Sequence, residues 1–476
     1  MLSRALSDEQ IARVDEASLR ILSEVGVHVP HDEVLSRFSD AGARVDGSSQ
    51  VVRIPAELVG ECLAQCGKQF TIYGRDLSRQ APFGQGKRNY NSIAGEASWV
   101  DELGGPRRYA TLADVATAAR LADALEHVNI AGAMSDPDDV PAPMRCVSVM
   151  AQMLKQTTKP IHFWFHDRAS ARYLLEMMVA LRGDEATAIQ YPVCYPFLEP
   201  ISPLRFPFNG VDLLFETARL NLPVPVGPMA QTGLSAPCTL AATMAQENAE
   251  ILAGICITQL IRPGMPVCYG GIPHAFDMRT TQLVFSGPEQ AIFGVAMTQL
   301  GKHYGLPVYI NVGLTDSKRV DAQAGLEIGT SLMLGAAAGA DIFGHMGISG
   351  VDQAASPDML VFQEEAISFV ESIMRDLQFS PEAFAFEQSQ AVGPGGSFID
   401  REHTALNFRK ELWFPTLLDR DYYQTWLDGG ATDTEARCVQ RRQQLLQEHR
   451  LVPPSDDLVA ALDEIVEAAR RDLAPS

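Results

Sequence analysis

Between Thr111 and His345 one unit recurs seven times: a helix-like segment followed by an apolar run too short to be a second helix. The runs are Val128–Ala133, Pro160–Phe165, Tyr191–Leu198, Val224–Met229, Pro266–Gly270, Pro307–Val312 and Asp341–His345, at intervals of roughly 30 to 40 residues. A strand apolar on both faces must be covered on both faces, which is the condition of a parallel sheet flanked by helices. Helix Asp358–Leu377 and the run Ala383–Phe386 are expected to supply an eighth unit. The count favours an α/β fold of the closed (β/α)8 TIM-barrel type over an open doubly wound sheet. No G-x-G-x-x-G opens a helix after an early strand, and Gly84-Gln85-Gly86 is only a fragment of that pattern. Residues 1–110 read as an N-terminal α+β cap with a hairpin at Gly104-Gly105, 111–410 as the barrel, and 411–476 as a helical C-terminal extension.

Composition narrows the partners. A formal charge of −21 repels phosphate backbones and anionic membranes, so neither nucleic acid nor a membrane surface is expected. No apolar stretch reaches the roughly 18 residues of a membrane span and the start carries no signal-like run, so the expectation is a soluble cytoplasmic protein. The eight cysteines are scattered through apolar segments and read as reduced core thiols. The charged tail reads as packing outside the barrel or joining copies in a homo-oligomer.

In a barrel of this type the reacting groups stand at the carboxyl ends of the strands. Those ends carry Phe163, Trp164, Phe165 and His166, then Tyr195, Phe197 and Glu199, then Gln231, Tyr269, His274, Phe276 and Asp277, and finally Asn311, Gly313, Asp316, Lys318 and His345. Aromatic residues dominate, and an aromatic box suits a quaternary ammonium, a cation without hydrogen-bond donors. Phe163, Phe165, Tyr195, Phe197, Gln231 and Tyr269 are the candidate substrate wall, although aromatics on strands also simply fill barrels. His345 closes an apolar strand, where it either meets substrate, moves a proton or serves as a satisfied structural histidine. His162 and His166 lie on a strand and its turn and do not make a metal pair; P-loop, zinc-protease and nucleophile-elbow patterns are absent. Lys318 raises a Schiff-base aldolase or lyase as an alternative, with a solvated loop lysine as the plainer reading.

Three further segments carry a resemblance. ASLRILSEVGVHVPHDEVLSRFSDAGARVD, AQENAEILAGICITQLIRPGMPVCYGG with TDSKRVDAQAGLEIGTSLMLGAAAGADIFGH, and GPGGSFIDREHTALNFRKELWFP are similar over nearly the full chain to the trimethylamine methyltransferase superfamily. The resemblance implies a TIM barrel that moves a methyl group from a methylated amine to Co(I) of a separate corrinoid-binding protein, with no tightly bound cofactor of its own. Founding members use pyrrolysine; this chain contains only standard residues and so resembles the branch acting on quaternary amines such as glycine betaine. Where relatives follow the last strand histidine with an AGW-like segment, this chain reads HMGISGVDQ. In that frame His345, Asn311 and the backbone at Gly313 are the candidate catalytic groups. Asn311, Gln231 and the N–H groups near Gly313 are candidate carboxylate donors, and Asp316 and Lys318 candidate contacts to the corrinoid. A non-catalytic binding partner of a corrinoid protein is the remaining alternative.

Overall fold

The apolar runs pair side by side, as their two-faced burial requires. In the computed structural model, which describes residues 3–474, Val224–Val226, Val267–Gly270, Val308–Ile310, Ile342–Met346 and Asn89–Ser92 form one parallel sheet in that order. The ring continues by a parallel bridge from Asn91 to Ile130 and by the pairing of Ala131–Gly132 with Ile161–His162. The Ile161 N–H donates to the Val193 carbonyl at 3.0 Å, and Leu198 bridges to Val226. Eight strand positions thus close into a TIM barrel. Helices Leu112–Ala124, Arg145–Gln156, Arg168–Arg182, Phe208–Thr217, Leu240–Ile261, Pro288–His303, Ala322–Ala338 and Pro357–Met374 follow the strands around it.

The source of the eighth strand corrects the sequence reading. Ala383–Phe386 is not a strand: helices Pro381–Phe384 and Phe386–Val392 occupy that stretch. The missing strand is Asn89–Ser92, which was read as part of the N-terminal cap. Its text, NYNS, lacks an apolar run because alternate residues face opposite ways. Tyr90 turns outward and stacks on Phe343 at 5.0 Å, while the Asn89 amide donates to the carbonyls of Pro82 (2.7 Å) and Asp341 (2.9 Å).

The barrel floor is sealed by the hairpin Phe70–Tyr73/Gln80–Phe83. Its Phe70 and Phe83 rings stack at 4.4 Å and join Ile130, Tyr195, Cys268, Tyr309 and Ile342 in a separate apolar cluster inside the ring. Near this floor Lys159 is buried, and its ammonium donates to the carbonyls of Ala122 and Val128 at 2.7 Å each and to that of Leu125. Burial pushes its pKa down to about 8, and every donor is already used.

Helix Leu240–Ile261 shows almost no amphipathic stripe because it is covered on all sides, by the barrel within and by helices Asp8–Arg20, Asp32–Asp40 and Ala56–Gln65 without. The tail packs outside the barrel: Thr434–Glu448 lies on Pro357–Met374, where Arg442 meets the buried Asp358 at 2.8 Å, and Asp456–Leu473 lies on Arg168–Arg182. Over the carboxyl end of the strands stand two small sheets. One joins Ile348–Ser349, Ala354–Ala355, Ser98–Val100 and Arg107–Tyr109, so the Gly104-Gly105 hairpin forms as expected; the other joins Gln231–Thr232, His274–Asp277 and Gln282–Val284. No helix among the described residues is long and apolar enough to cross a membrane.

Candidate active site

The two rim sheets leave a mouth at the carboxyl end of the strands, a cavity of about 890 Å³ lined by Trp164, Phe165, Phe197, Glu199, Met229 and Gln231 among others, with no lysine or arginine in its wall. A smaller groove of about 660 Å³ between helices Asp8–Arg20 and Leu240–Ile261 is mostly apolar, and no barrel-strand residue lines it. The mouth, not the groove, gathers the chemistry.

Strand alternation puts Asn91, His162, Tyr195, Tyr309 and Asn311 on the inner face. His162 packs against Tyr195 (4.9 Å between centroids), Trp164 (5.9 Å) and Phe197 (6.5 Å), and Phe197 stands edge-on to Tyr309 at 5.3 Å. The Trp164 indole N–H donates to the Gly95 carbonyl at 2.9 Å, which fixes the ring beside the loop after the first strand.

His345 reaches this face by a different route. Period-two alternation would turn it outward, because Ile342 lies in the inner cluster and Phe343 packs outward on Tyr90. The register shifts between Phe343 and Met346, and His345 adopts φ 67°, a left-handed conformation that costs a non-glycine residue about 1–2 kcal/mol. The bulge re-aims the imidazole inward, where Nδ1 hydrogen-bonds the Tyr309 hydroxyl at 3.0 Å. Gly344 permits this approach: a Cβ there would stand 1.8 Å from the Tyr309 hydroxyl oxygen.

Burial holds His345 neutral, with its pKa down at about 3 and with His162 and His274 nearby adding to the effect. His162 and His274 are likewise lowered by burial, to about 3 and about 4. His274 stacks on Phe285 at 4.9 Å, and its Nδ1 is 2.7 Å from the Ile272 carbonyl. Polar atoms without a protein partner concentrate here: both amide atoms of Asn91 and Asn311, both ring nitrogens of His162, the Tyr195 hydroxyl, His274 Nε2 and Gln290 Oε1. Each such atom costs roughly 1–3 kcal/mol unless something polar meets it. This inner floor is therefore a set of buried, uncharged donors and acceptors inside the ring.

Above it stands a group of carboxylates. Glu96, in the loop after the first strand, has its pKa pushed up to about 9, chiefly by burial and further by Asp352, Asp136 and Glu199. Glu199 rises to about 7, from burial and Asp352, and Asp352 to about 6 from burial. Water reaches the Glu199 side chain, but protein walls surround it. Asp352 sits in the turn joining the rim strands Ile348–Ser349 and Ala354–Ala355, with a positive φ of its own. Asp136 is partly answered by Arg145 at 3.2 Å and His166 at 3.6 Å.

The residues expected from sequence divide clearly. Tyr195, Phe197, Phe165, Gln231, Asn311 and His345 gather at the cavity or its floor. Phe163 stacks on Phe165 at 5.0 Å within the outer core, and Tyr269 points to the helix layer, its hydroxyl donating to Asn248 Oδ1 at 2.8 Å. Gly313 is buried under Leu332, with its N–H on Ser331 Oγ (2.9 Å) and its carbonyl taken by Gln363 (2.7 Å), so it is neither a free donor nor open space. Asp316 accepts the Phe285 N–H at 2.9 Å and pins that loop. Lys318 is exposed on the rim, its ammonium on the Asp316 carbonyl at 2.8 Å, which removes the basis of a Schiff-base lysine inside the barrel.

The sequence reading passed over Asn91, Glu96, Tyr309 and Asp352, all of them outside the strand-end pattern it relied on. It also passed over the carboxylates that brace the mouth. Glu247 accepts the N–H groups of Ala230 and Ile272 at 3.0 Å each, and Glu250 those of Leu204 (2.7 Å) and the Ser202 hydroxyl (2.6 Å). One helix thereby holds the loops after three strands. The available signal was two acids three apart inside an otherwise apolar helix, where an unpaired charge is costly.

Comparison with known proteins adds the following. A family model described as trimethylamine methyltransferase (MTTB) matches residues 2–474. The chain is 31% identical over 454 residues to the glycine betaine methyltransferase of Desulfitobacterium hafniense (strain Y51), covering 95% of this chain and 94% of that protein. It is 26% identical to the trimethylamine methyltransferase MttB of Desulfitobacterium hafniense (strain DSM 10664 / DCB-2), over 97% and 93% of the two chains. Identity to the trimethylamine methyltransferase MttB2 of Methanosarcina mazei is 29%, over 97% and 94%.

Proposed function

Because the chain belongs to the trimethylamine methyltransferase family and is thereby a methyltransferase, we propose that it demethylates a quaternary amine of the glycine betaine type at the barrel mouth and passes the methyl group to a corrinoid carried by a separate protein. The observation that carries this reading is the vertical order of the site: uncharged donors at the floor, aromatic rings and carboxylates above them, and no cationic side chain in the wall. A betaine fits that order with its carboxylate down, toward Asn91, Asn311 and His162, and its ammonium up, among Trp164, Phe197 and the three acids.

A Co(I) corrinoid supplies the nucleophile when its carrier docks. The chain's own residues bind and orient. Trp164, Phe197 and the carboxylates stabilise the cation, and the floor amides fix its other end, leaving an N-methyl group toward the open side. The departing amine is neutral, so no proton need be supplied, which agrees with three buried histidines held neutral. Once the positive charge has gone, the carboxylates lose their counter-ion, and this loosens the product. Lys318, exposed on the rim beside Gly350, is the proposed contact for the incoming carrier.

The test is to incubate the folded protein with a reduced corrinoid and a panel of methylated amines, following the demethylated amine by mass spectrometry. Corrinoid-dependent formation of dimethylglycine from glycine betaine supports the reading. Absence of demethylated product from every quaternary amine overturns it.

A further inference from the structure

The C-terminal extension reaches the rim of the mouth. Helix Thr434–Glu448 packs along helix Pro357–Met374 outside the barrel, but its first turn meets the loop after strand Val308–Ile310. There the Glu435 side chain, only 14% exposed, accepts hydrogen bonds from Arg319 Nη2 at 2.5 Å, Arg319 Nε at 3.2 Å and the Val320 N–H at 3.1 Å. Neither oxygen is used by its own helix, whose cap is Asp433, accepting the Ala436 N–H at 2.8 Å. The first half of the loop is held from within the barrel by Glu327, which accepts the Thr315 hydroxyl at 2.6 Å and the Asp316 N–H at 2.9 Å. Among the described residues, no side chain outside the loop other than Glu435 hydrogen-bonds Arg319 or Val320.

From this loop the contacts run on to the rim sheet. The Ser317 carbonyl accepts the Gly350 N–H at 3.1 Å. The Arg319 stem lies against the Gly104 hairpin tip, where an added Cβ would stand 3.7 Å from Cδ. Gly350, Val351 and Asp352 follow one another in the left-handed region, at φ 65°, 64° and 53°. A β-branched residue is an outlier there, kept only where its surroundings impose it. The polar contacts that impose it are few: Ser317, and Arg107, which donates to Gln353 Oε1 at 2.6 Å and to the Gly350 carbonyl at 3.4 Å. This turn carries Asp352, and strand Ser98–Val100, which lies in the same sheet, begins just after Glu96.

We propose that Glu435 is a positioning residue for the substrate cation: through Arg319 and the loop to Ser317 it holds the rim sheet so that Asp352 and Glu96 face the ammonium. The C-terminal extension then belongs to the binding site, although it touches no substrate. This rests on the reading above, in which the ammonium lies among these acids. If Glu435 only clamped its helix to the barrel, its loss would lower the melting temperature without a selective loss of cation binding.

The test is isothermal titration of the full-length protein with tetramethylammonium, which reports the cation site without the carrier. Wild type, Glu435→Ala, Arg319→Met, the double variant and Arg319→Lys are compared, with thermal melts checking the fold. Each of the first two variants should bind about fivefold more weakly. The double variant should be no weaker than either, because both break one link, and Arg319→Lys, which keeps the charge, should recover most of the loss. With reduced corrinoid and glycine betaine, KM should rise while kcat stays within about twofold of wild type. A direct effect of charge is told apart by its sign. Glu435→Ala removes a negative charge and Arg319→Met a positive one, so opposite changes in affinity overturn the proposal. Single variants that bind like the wild type overturn it too, as does a kcat lost in step with affinity. If Glu435→Ala misfolds, the more exposed Arg319 decides alone: weaker binding by Arg319→Met supports the link, and unchanged or tighter binding refutes it. A wild type that binds no quaternary ammonium removes the underlying reading, and this proposal with it.

Discussion

Replacing Glu199 by Gln should reshape the pH dependence of cation binding. In the free protein burial and Asp352 hold the Glu199 carboxyl at about 7, so it is largely protonated at pH 6 and largely ionised at pH 8. A quaternary ammonium about 5 Å away stabilises the ionised form by roughly 3 kcal/mol at an effective dielectric of about 20. Water reaches this side chain, so about half of that, or roughly one pKa unit, is retained after screening. Linkage then makes the wild type bind about fivefold more tightly at pH 8 than at pH 6 through this group alone. Glu199→Gln should weaken binding about tenfold at pH 8 and only about twofold at pH 6. Isothermal titration with tetramethylammonium or glycine betaine reads these ratios directly. Affinity that is flat or falls from pH 6 to pH 8, or a Gln variant that keeps the wild-type slope, refutes the placement of a cation beside Glu199.

The remaining expectations concern the supports of the site. His345→Asn keeps a residue that tolerates the left-handed backbone, so it should retain the melting temperature within a few degrees while lowering turnover by at least about tenfold; unchanged kcat would make His345 structural. Gly344→Ala drives a methyl group into the Tyr309 hydroxyl and should cost about 1–3 kcal/mol in denaturant unfolding. Lys159→Met leaves three buried carbonyls unmet and should cost about 2–5 kcal/mol, measured the same way. Glu96, Glu199 and Asp352 all have folded pKa values above their ordinary ones of 4.5, 4.5 and 3.8, so the folded state binds more protons than the unfolded. The stability they contribute is present below about pH 4 and lost as pH rises through about 6 to 9. Thermal melts should show that decline, with added quaternary ammonium offsetting it at high pH; a decline that the ligand leaves unchanged would place the loss elsewhere.

The barrel was legible in the sequence because buried parallel strands need continuous apolar runs and their helices need a 3.6-residue stripe, and both signals are local. Seven runs stood at the right spacing, and helices such as Arg145–Gln156 and Arg168–Arg182 lie where the pattern placed them. The eighth strand was hidden because Asn89 and Asn91 use polar side chains on an inner face, and nothing in NYNS marks them as inward until the ring closes around them.

The site divides along the same line. By itself the sequence determined the type of residue at each strand end, hence an aromatic mouth without a nucleophile, because residue identity and strand order are properties of the chain. Tertiary structure decided which of those residues meet. A bulge, not alternation, turned His345 inward onto Tyr309. Pairing to the helix layer took Tyr269 out of the site, and hydrogen bonds to Ser331 and Gln363 closed Gly313. The acids Glu96, Glu199 and Asp352 lie far apart in the chain, and only closure of the barrel brings Asp352 close enough to add to the burial that raises the pKa of Glu96 and Glu199. Electrostatic coupling depends on distance and burial, and neither exists until the ring is closed.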